Sequence, residues 1–285
     1  MDNILEIIHV SKQFPGFLLN DLSITLPKGF IMGLVGQNGA GKTTLIRLIL
    51  NMLEKDAGEI RVFGQDNIIH EHLIKEKTGV VFDQIFYAED WTIRDTGNAI
   101  SVFYENWDHD LFRQLTERFK LPSNKKIESL SRGMKIKLML ACAFSHDARL
   151  LILDEPTSGL DPVSRDELLE LLQEFIKDGE RSVLFSTHIT ADLEQIADYI
   201  TFLQEGNMIY TGSMEELLDK YQKIKGRIPD LTRELEQRIL GLRKTDLGFE
   251  GLVLRRDAAH YNNCILDKVT IDDIVISHSK GRGQS

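Results

Sequence analysis

Residues 36–43 read G-Q-N-G-A-G-K-T, which fits the pattern G-x-x-x-x-G-K-[ST] of a phosphate-binding loop. An apolar run at residues 30–35 comes before this stretch, and residues 43–53 behind it have the apolar spacing of a helix. Because the apolar run is too short for a helix, we interpret it as a buried strand. A phosphate loop needs a strand before it and a helix after it. The stretch therefore predicts an α/β nucleotide-binding fold.

The residue types in this loop suit the binding of nucleotide phosphates. Glycines let the backbone fold around a phosphate without a Cβ clash, and the exposed N–H groups and the helix dipole hold the anion. Lys42 would reach the β- and γ-phosphates, and the Thr43 hydroxyl would bind Mg²⁺. The residues predicted to bind the nucleotide here are Asn38, Gly39, Ala40, Gly41, Lys42, Thr43 and Thr44.

A second stretch places two carboxylates at the end of an apolar run. Residues 150–153 are four aliphatic residues, and Asp154 and Glu155 follow them directly. Such a run suits a central parallel strand, and ligands of α/β sheets bind at the carboxyl ends of strands. Asp154 would hold Mg²⁺ directly or through water, and Glu155 would polarise a water that attacks the γ-phosphate. With the phosphate loop, this pair predicts a nucleotide-hydrolysing site.

The rest of the chain up to about residue 220 alternates strand patterns with helix patterns. Further strands are predicted at residues 22–26, 58–63, 79–82 and 181–185. Further helices are predicted at residues 92–119, 134–144, 162–177 and 190–196. This alternation predicts a mostly parallel sheet that is covered on both faces.

The composition shifts after about residue 221, and we interpret residues 222–285 as a small appended α/β region without a chemical motif. Its predicted elements are a charged helix at residues 232–243 and short strands at residues 251–254 and 264–266. Residues 271–276 fit a strand or a short helix equally well, and residues 280–285 are expected to be a frayed end. Dimer contact, regulation and capping stay open as roles of this region.

Composition and charge exclude several classes of protein. The chain has 285 residues, of which 42% are hydrophobic and 27% are charged, as in ordinary globular proteins. Its net charge of −10 disfavours nucleic acid as a partner, and two isolated cysteines disfavour disulfides and zinc sites. The first residues lack the basic start and apolar run of a signal peptide. No apolar run is long enough to span a bilayer, so we expect any membrane role to need a partner.

Four further segments complete an ordered set of motifs. They are Gln84 after the predicted strand 79–82, L-S-R-G-M at residues 130–134, S-G-L-D at residues 158–161 and S-T-H at residues 186–188. In this order, the chain from about residue 4 to 220 resembles the nucleotide-binding subunit of ATP-binding cassette (ABC) transporters.

This resemblance implies a fold and a set of domains. Residues 1–221 would form the nucleotide-binding domain, with an N-terminal antiparallel β region, a mostly parallel core sheet and a helical subdomain at about residues 85–148. The small α/β region of residues 222–285 would follow it. Two such domains would form a head-to-tail dimer that holds two ATP molecules and Mg²⁺ between them.

The resemblance also implies roles for single residues. Phe14 would stack on the adenine, with Phe17 as a weaker candidate. Gln84 would reach Mg²⁺ and sense the transmembrane partner. Ser131 and Gly133 would contact the γ-phosphate of the ATP bound to the opposite protomer.

Two further residues take their roles from the same resemblance. Asp161 would couple the two ATP sites, and His188 would bond the γ-phosphate as a switch residue. The residues expected to act in hydrolysis are then Glu155, His188 and Gln84. The residues expected to hold the metal are Thr43, Gln84 and Asp154.

The signature stretch departs from the common family sequence L-S-G-G-Q. Arg132 replaces a glycine and Met134 replaces the glutamine, whereas the serine and the second glycine are kept. Lys135 and Lys137 add positive charge near the predicted helix start, where the helix dipole disfavours cations. The polar contacts of the glutamine are therefore lost, while contact of the serine and glycine with a γ-phosphate in trans is retained as an expectation.

The signature and the stretch F-Y-E-N-W-D at residues 103–108 resemble ATPase subunits of small exporters from Gram-positive bacteria, such as acetoin, antibiotic-response or phenol-soluble modulin exporters. This implies an ATPase at the cytoplasmic face of the membrane that powers export of a peptide, toxin or antibiotic-like substrate through a separate permease. The dimer would be a homodimer or a heterodimer with a related cassette, and no nucleic acid would bind.

Two other functions compete with this one. A soluble ABC ATPase could act on ribosomes or DNA, but ribosome-acting members usually carry two cassettes. DNA-repair members carry a long coiled coil, for which the segment between Lys42 and Ser131 has no room. A module that uses ATP only to hold a dimer together is disfavoured, because Glu155 and His188 are both present.

An aromatic cluster follows Gln84 in the sequence. Its members are Phe86, Tyr87, Trp91, Phe103, Tyr104 and Trp107. About half of such residues are expected to pack in a helical core, since aromatic side chains usually bury their rings. Phe86 and Tyr87 are predicted to anchor a short helix of the permease.

Overall fold

The computed structural model describes residues 2–258, 260, 261 and 263–280. These residues form three sheets, with helices packed on them. Within the described chain, no helix is long and apolar enough to cross a membrane.

The central sheet has six strands in the order β10-β9-β3-β8-β7-β6. The strands are β3 (Ile31–Val35), β6 (Thr78–Val81), β7 (Leu150–Asp154), β8 (Ser182–Thr187), β9 (Tyr199–Gln204) and β10 (Asn207–Ser213). Neighbouring strands pair in parallel except β9 and β10, which form an antiparallel hairpin. The predicted mostly parallel core sheet is therefore confirmed.

An antiparallel sheet forms the N-terminal part and has the order β2-β1-β4-β5. Its strands are β1 (Asn3–Phe14), β2 (Phe17–Pro27), β4 (Ala57–Val62) and β5 (Gln65–Asp66). One buried cluster joins this sheet to the central sheet, with Leu5 and Leu22 from the first and Leu34 and Ile152 from the second. The cluster also includes Leu45 of the helix that follows the phosphate loop, so burial of apolar surface holds that helix between the sheets.

Eight α-helices lie within the described residues before residue 221. They are α1 (Lys42–Ile49), α2 (Glu71–Glu76), α3 (Ile93–Ser101), α4 (His109–Arg118), α5 (Arg132–Ser145), α6 (Pro162–Phe175), α7 (Thr190–Ile196) and α8 (Met214–Lys220). Helix α1 ends earlier than predicted, because Asn51 adopts a left-handed conformation with φ 52° just after its end.

The helical stretch predicted at residues 92–119 is two helices rather than one. Thr92 and Asp95 form a capping box at the start of α3. Asp108 accepts a hydrogen bond from the backbone N–H of Leu111 and so caps the start of a separate helix, α4. Residues 102–108 between the two helices carry the F-Y-E-N-W-D stretch.

The appended region contains a third, antiparallel sheet with the order β12-β13-β11-β14. Its strands are β11 (Tyr221–Gly226), β12 (Leu240–Thr245), β13 (Gly248–Leu254) and β14 (Ile265–Asp267). Its helices are α9 (Arg233–Arg238), α10 (Arg255–Ala258) and α11 (Ile271–Lys280). It has a small apolar cluster of its own, while Leu252, Ile271 and Ile274 belong to the large cluster that includes helices α5, α6 and α7.

One prediction for this region is wrong, and one open alternative is decided. The helix predicted at residues 232–243 stops at Arg238, and strand β12 follows, because pairing with β13 overrides the local helix propensity. Gly241 is left-handed (φ 65°), and a Cβ there would lie 2.5 Å from the Cα of Ser277 in α11. The open alternative at residues 271–276 is a helix. The frayed end is predicted at residues 280–285. Of these, Lys280 is the last residue of α11 and does not fit the prediction, and residues 281–285 lie outside the described residues.

Candidate functional site

Four neighbouring parallel strands end at one edge of the central sheet. The register there pairs Val35 with Thr187, Asp154 with Ser186, and Val81 with Leu153. Residues 36–43, Asp154 with Glu155, His188 and the loop that carries Gln84 all lie at this edge, at the ends of these strands. Parallel strand pairing thus brings together motifs that are far apart in the sequence.

The phosphate loop wraps around the amine of Lys42, which is buried. Lys42 Nζ donates a hydrogen bond of 2.7 Å to the Gly36 carbonyl and lies 3.3 Å from Oε1 of Glu155. Gly41 precedes α1 with φ 108°, and a Cβ there would lie 2.6 Å from the side chain of Leu19. Only glycine fits this position, and it leaves the N–H groups at the start of α1 for an anion rather than for a side-chain cap.

Asp154 is buried between two hydroxyl groups. Thr43 Oγ1 donates to Asp154 Oδ2 over 2.8 Å, and Ser186 Oγ donates to Asp154 Oδ1 over 2.6 Å. Mg²⁺ prefers hard oxygen ligands, and it commonly binds through one or two carboxylates together with substrate phosphates. The Thr43 hydroxyl and the Asp154 carboxylate are therefore suitable ligands for this ion.

Some metal sites are made of protein side chains alone. Among the residues that the structure describes, no group of three or more His, Cys, Asp or Glu side chains is arranged to hold a metal.

Glu155 is held between Lys42 and His188. Its Oε2 lies 2.6 Å from His188 Nδ1 and accepts the backbone N–H of His188 over 3.3 Å, while Oε1 faces the Lys42 amine. Its backbone is left-handed, with φ 52°, a conformation that costs a non-glycine residue about 1–2 kcal/mol. Strain of this kind clusters at functional sites, where surrounding contacts hold it in place.

Phe14 and Gln84 are more exposed to solvent than the buried Lys42 and Asp154. Gln84 is exposed in the loop after β6. The rings of Phe14 and Phe17 are 6.3 Å apart, and a Cβ at Gly41 would lie 3.1 Å from Phe17. The structure thus places Phe17 against the phosphate loop, and Phe14 lies next to Phe17.

Ser131, Gly133 and Asp161 form a second group. Ser131 caps α5 and Asp161 caps α6, each through its side-chain oxygen. A Cβ at Gly133 would lie 3.4 Å from Leu160, so the two helix starts lie side by side. Hydrogen bonds from the hydroxyl and the backbone N–H of Ser164 hold the pKa of Asp161 below its usual value. The hydrogen bonds of Ser131 and Asp161 that the structure describes are with residues of their own helix starts, Met134 for Ser131 and Val163 and Ser164 for Asp161.

Comparison with known proteins decides the family. The family model described as ABC transporter matches residues 19–158. The ABC transporter ATP-binding protein YtrB of Bacillus subtilis (strain 168) is 32% identical over 225 residues, which cover 78% of this chain and 76% of YtrB. This chain belongs to the ABC transporter family. The resemblance drawn from the motifs is therefore confirmed.

Other members of the ABC family match over similar lengths. The Nod factor export ATP-binding protein I of Rhizobium leguminosarum bv. viciae is 34% identical over 224 residues, covering 76% of this chain and 71% of that protein. The solved structure of an ATP binding subunit of an ABC transporter superposes with a TM-score of 0.69 at 27% identity, covering 75% of this chain and 91% of that one. The predicted cassette fold is confirmed by this similarity.

The sequence reasoning missed Ser186 in this ABC cassette. The motif S-T-H at residues 186–188 predicts a role only for its histidine. Ser186 contacts the Asp154 side chain and accepts a 3.2 Å hydrogen bond from the Glu155 backbone. The signal available in the sequence is its place near the end of the predicted strand that comes before His188.

The aromatic cluster of the cassette is divided between surface and core. Phe86 and Phe103 are each 71% exposed. Tyr87, Trp91 and Trp107 pack partly buried against the large apolar cluster, and the half-buried Tyr104 stacks on His146. Tyr87 is hydrogen-bonded to Cys142, and burial raises the pKa of its hydroxyl. Of the two predicted anchors, only Phe86 is exposed.

Proposed function

We propose that this chain is the ATP-hydrolysing subunit of an ABC exporter and that it drives a separate membrane permease from the cytoplasmic face of the membrane. The observation that carries the proposal is the contact of Glu155 with both Lys42 and His188 at the end of the phosphate loop. The names of relatives support the export function, since they include a Nod factor export protein and a bacitracin transport protein. The substrate proposed is a peptide, toxin or antibiotic-like compound.

Nucleotide binding is assigned to the phosphate loop and its surroundings. The Lys42 amine, now on the Gly36 carbonyl, would bind the β- and γ-phosphates, with help from residues 38–41 and Thr44. Phe14 would stack on the adenine. Thr43, Asp154 and Gln84 would hold Mg²⁺, which neutralises charge on the phosphates when bound.

Hydrolysis is assigned to Glu155 and His188. The Glu155 carboxylate would accept a proton from the water whose oxygen attacks the γ-phosphorus, and the bond from that phosphorus to ADP would break. His188 would hold the Glu155 carboxylate through the 2.6 Å contact and bond the γ-phosphate. The products are ADP and inorganic phosphate.

A second cassette would complete each site. Ser131 caps its own helix, and a Cβ at Gly133 would lie 3.4 Å from Leu160, so we propose that the γ-phosphate bound there belongs to the ATP of a partner. We propose a head-to-tail dimer, formed with a second copy or with a related cassette. Closure around ATP would then be a population shift driven by tighter ATP binding to the closed state.

Replacing Lys42 by Ala tests the nucleotide site. We expect ATP affinity to fall about tenfold or more, because a hydrogen bond from a charged group is worth about 1.5–3 kcal/mol. Isothermal titration calorimetry measures this change. Lys177→Ala is the matched control, since Lys177 is exposed just after the end of α6. Equal affinity of Lys42→Ala and wild type would contradict the proposed site.

Replacing Phe86 by Ala tests the permease surface. We expect weaker assembly with the co-expressed permease and unchanged ATP affinity, because exposed aromatic anchors contribute about 2 kcal/mol or more to interfaces. Leu247→Ala is the control, since this exposed leucine lies in the appended region. Co-purification of Phe86→Ala with the permease at wild-type yield would exclude Phe86 as an anchor.

A further inference from the structure

Ser186 contacts both carboxylate residues of the site, although it belongs to neither of their motifs. It is 0% exposed, and it lies opposite Asp154 in the register of β7 and β8. Its Oγ donates to Asp154 Oδ1 over 2.6 Å. The Glu155 N–H donates to Oγ of Ser186 over 3.2 Å and to its carbonyl over 3.0 Å. One buried hydroxyl therefore joins two residues with different proposed roles.

The first consequence concerns the direction of the Asp154 carboxylate. Because Oδ1 is bonded to Ser186, the other oxygen Oδ2 is turned toward the Thr43 hydroxyl, 2.8 Å away. A hydrogen bond to a charged carboxylate is strong, so it holds the carboxylate in one rotation. The oxygen that faces Thr43 is the one placed to bind Mg²⁺ together with that hydroxyl.

The second consequence concerns the backbone of Glu155. This residue is left-handed with φ 52°, and its N–H is fixed by the carbonyl and the hydroxyl of Ser186. A conformation of this kind persists only when neighbouring contacts hold it. The direction of the Glu155 side chain toward His188 depends on this backbone conformation.

We propose that Ser186 is a positioning residue that turns Asp154 toward Mg²⁺ and holds Glu155 in place for hydrolysis. This inference rests on the proposed ATPase function. Groups that orient a metal ligand by hydrogen bonding change metal affinity or activity about 10–100-fold when they are removed. Removal of the hydroxyl would therefore weaken the Mg²⁺-dependent part of nucleotide binding and leave the phosphate loop intact.

The test compares Ser186→Ala with Ser182→Ala. Ser182 lies in the same strand, is also fully buried, and accepts a 2.9 Å hydrogen bond from the Gly29 N–H at the other end of the sheet. Both variants lose a buried hydroxyl, so both report the cost to folding. Binding of a fluorescent ATP analogue is measured in EDTA and across a Mg²⁺ titration, and phosphate release is measured in parallel.

For Ser186→Ala we expect unchanged binding in EDTA and a Mg²⁺ requirement for tight binding that rises about tenfold or more. Turnover at saturating Mg²⁺ falls as well, since the Glu155 backbone N–H loses the Ser186 hydroxyl, one of its two acceptors. Ser182→Ala leaves the Mg²⁺ requirement and turnover at wild-type values. If Ser186→Ala does not fold, Ser186→Cys replaces it, because a thiol keeps the shape but is a weak donor.

Two results overturn the inference. One is a Mg²⁺ requirement of the Ser186 variant equal to that of the wild type, and the other is an equal shift in Ser182→Ala. Either result leaves the ATPase function standing if wild-type protein hydrolyses MgATP. A wild-type protein that neither binds nor hydrolyses MgATP would instead overturn the proposed function, and this inference with it.

Discussion

Replacing Glu155 by Gln is expected to lower ATP turnover about 10²–10⁴-fold, the range found for removal of a general base. Glutamine keeps the size of the side chain but cannot accept the proton of the attacking water. MgATP binding should survive, because Lys42, Thr43 and Asp154 are untouched. Phosphate release at saturating ATP measures the change, and Glu167→Gln on the surface of α6 is the matched control.

The same variant tests the dimer. Because closure precedes hydrolysis in the proposed cycle, Glu155→Gln with MgATP should accumulate as a dimer in size-exclusion chromatography with light scattering. A monomer that still binds ATP would mean that the partner is a related cassette or the permease. Turnover within tenfold of wild type would show that Glu155 is not the base. A wild-type chain that binds ATP but never hydrolyses it would favour a binding module.

Replacing Ile271 by Ala is expected to cost about 2–5 kcal/mol in the free energy of unfolding, as for other fully buried isoleucines. Ile271 is 0% exposed and belongs to the large apolar cluster that includes α7. The first turn of α11 also bonds α7, since Ile271 N–H donates to Glu194 over 2.5 Å and Thr190 Oγ1 donates to Asp272 over 2.6 Å. The variant therefore loosens the contact between the appended region and the helix that follows His188.

Urea unfolding measures the cost of this substitution, and limited proteolysis shows whether α11 is released. Ile276→Ala is the control, because Ile276 lies on the same helix and is 50% exposed. The control should change stability by about 0.5 kcal/mol or less. Equal small effects of the two substitutions would mean that α11 does not pack on the cassette in solution. A large effect with changed ATP turnover would favour regulation over simple capping.

Local patterns in the sequence were enough for the phosphate loop, the acidic strand end and the order of the family motifs. Each depends on residues next to one another, such as the glycines before Lys42 or the aliphatic residues before Asp154. Together they led to the ABC family, which the comparisons then confirmed. Helix α7 at Thr190–Ile196 has the predicted bounds, since its apolar spacing is local too.

Contacts between distant residues were decided by the tertiary structure alone. Ser186 lies opposite Asp154 because β8 pairs with β7, and neither strand has a local sequence pattern that identifies its partner. The packing of Phe17 on the phosphate loop likewise joins residues that are distant in the sequence. Strand β12 replaced the second half of a predicted helix because pairing with β13 outweighs propensity. Sequence patterns report the state of a short segment, whereas these features depend on which segments meet once apolar surface is buried.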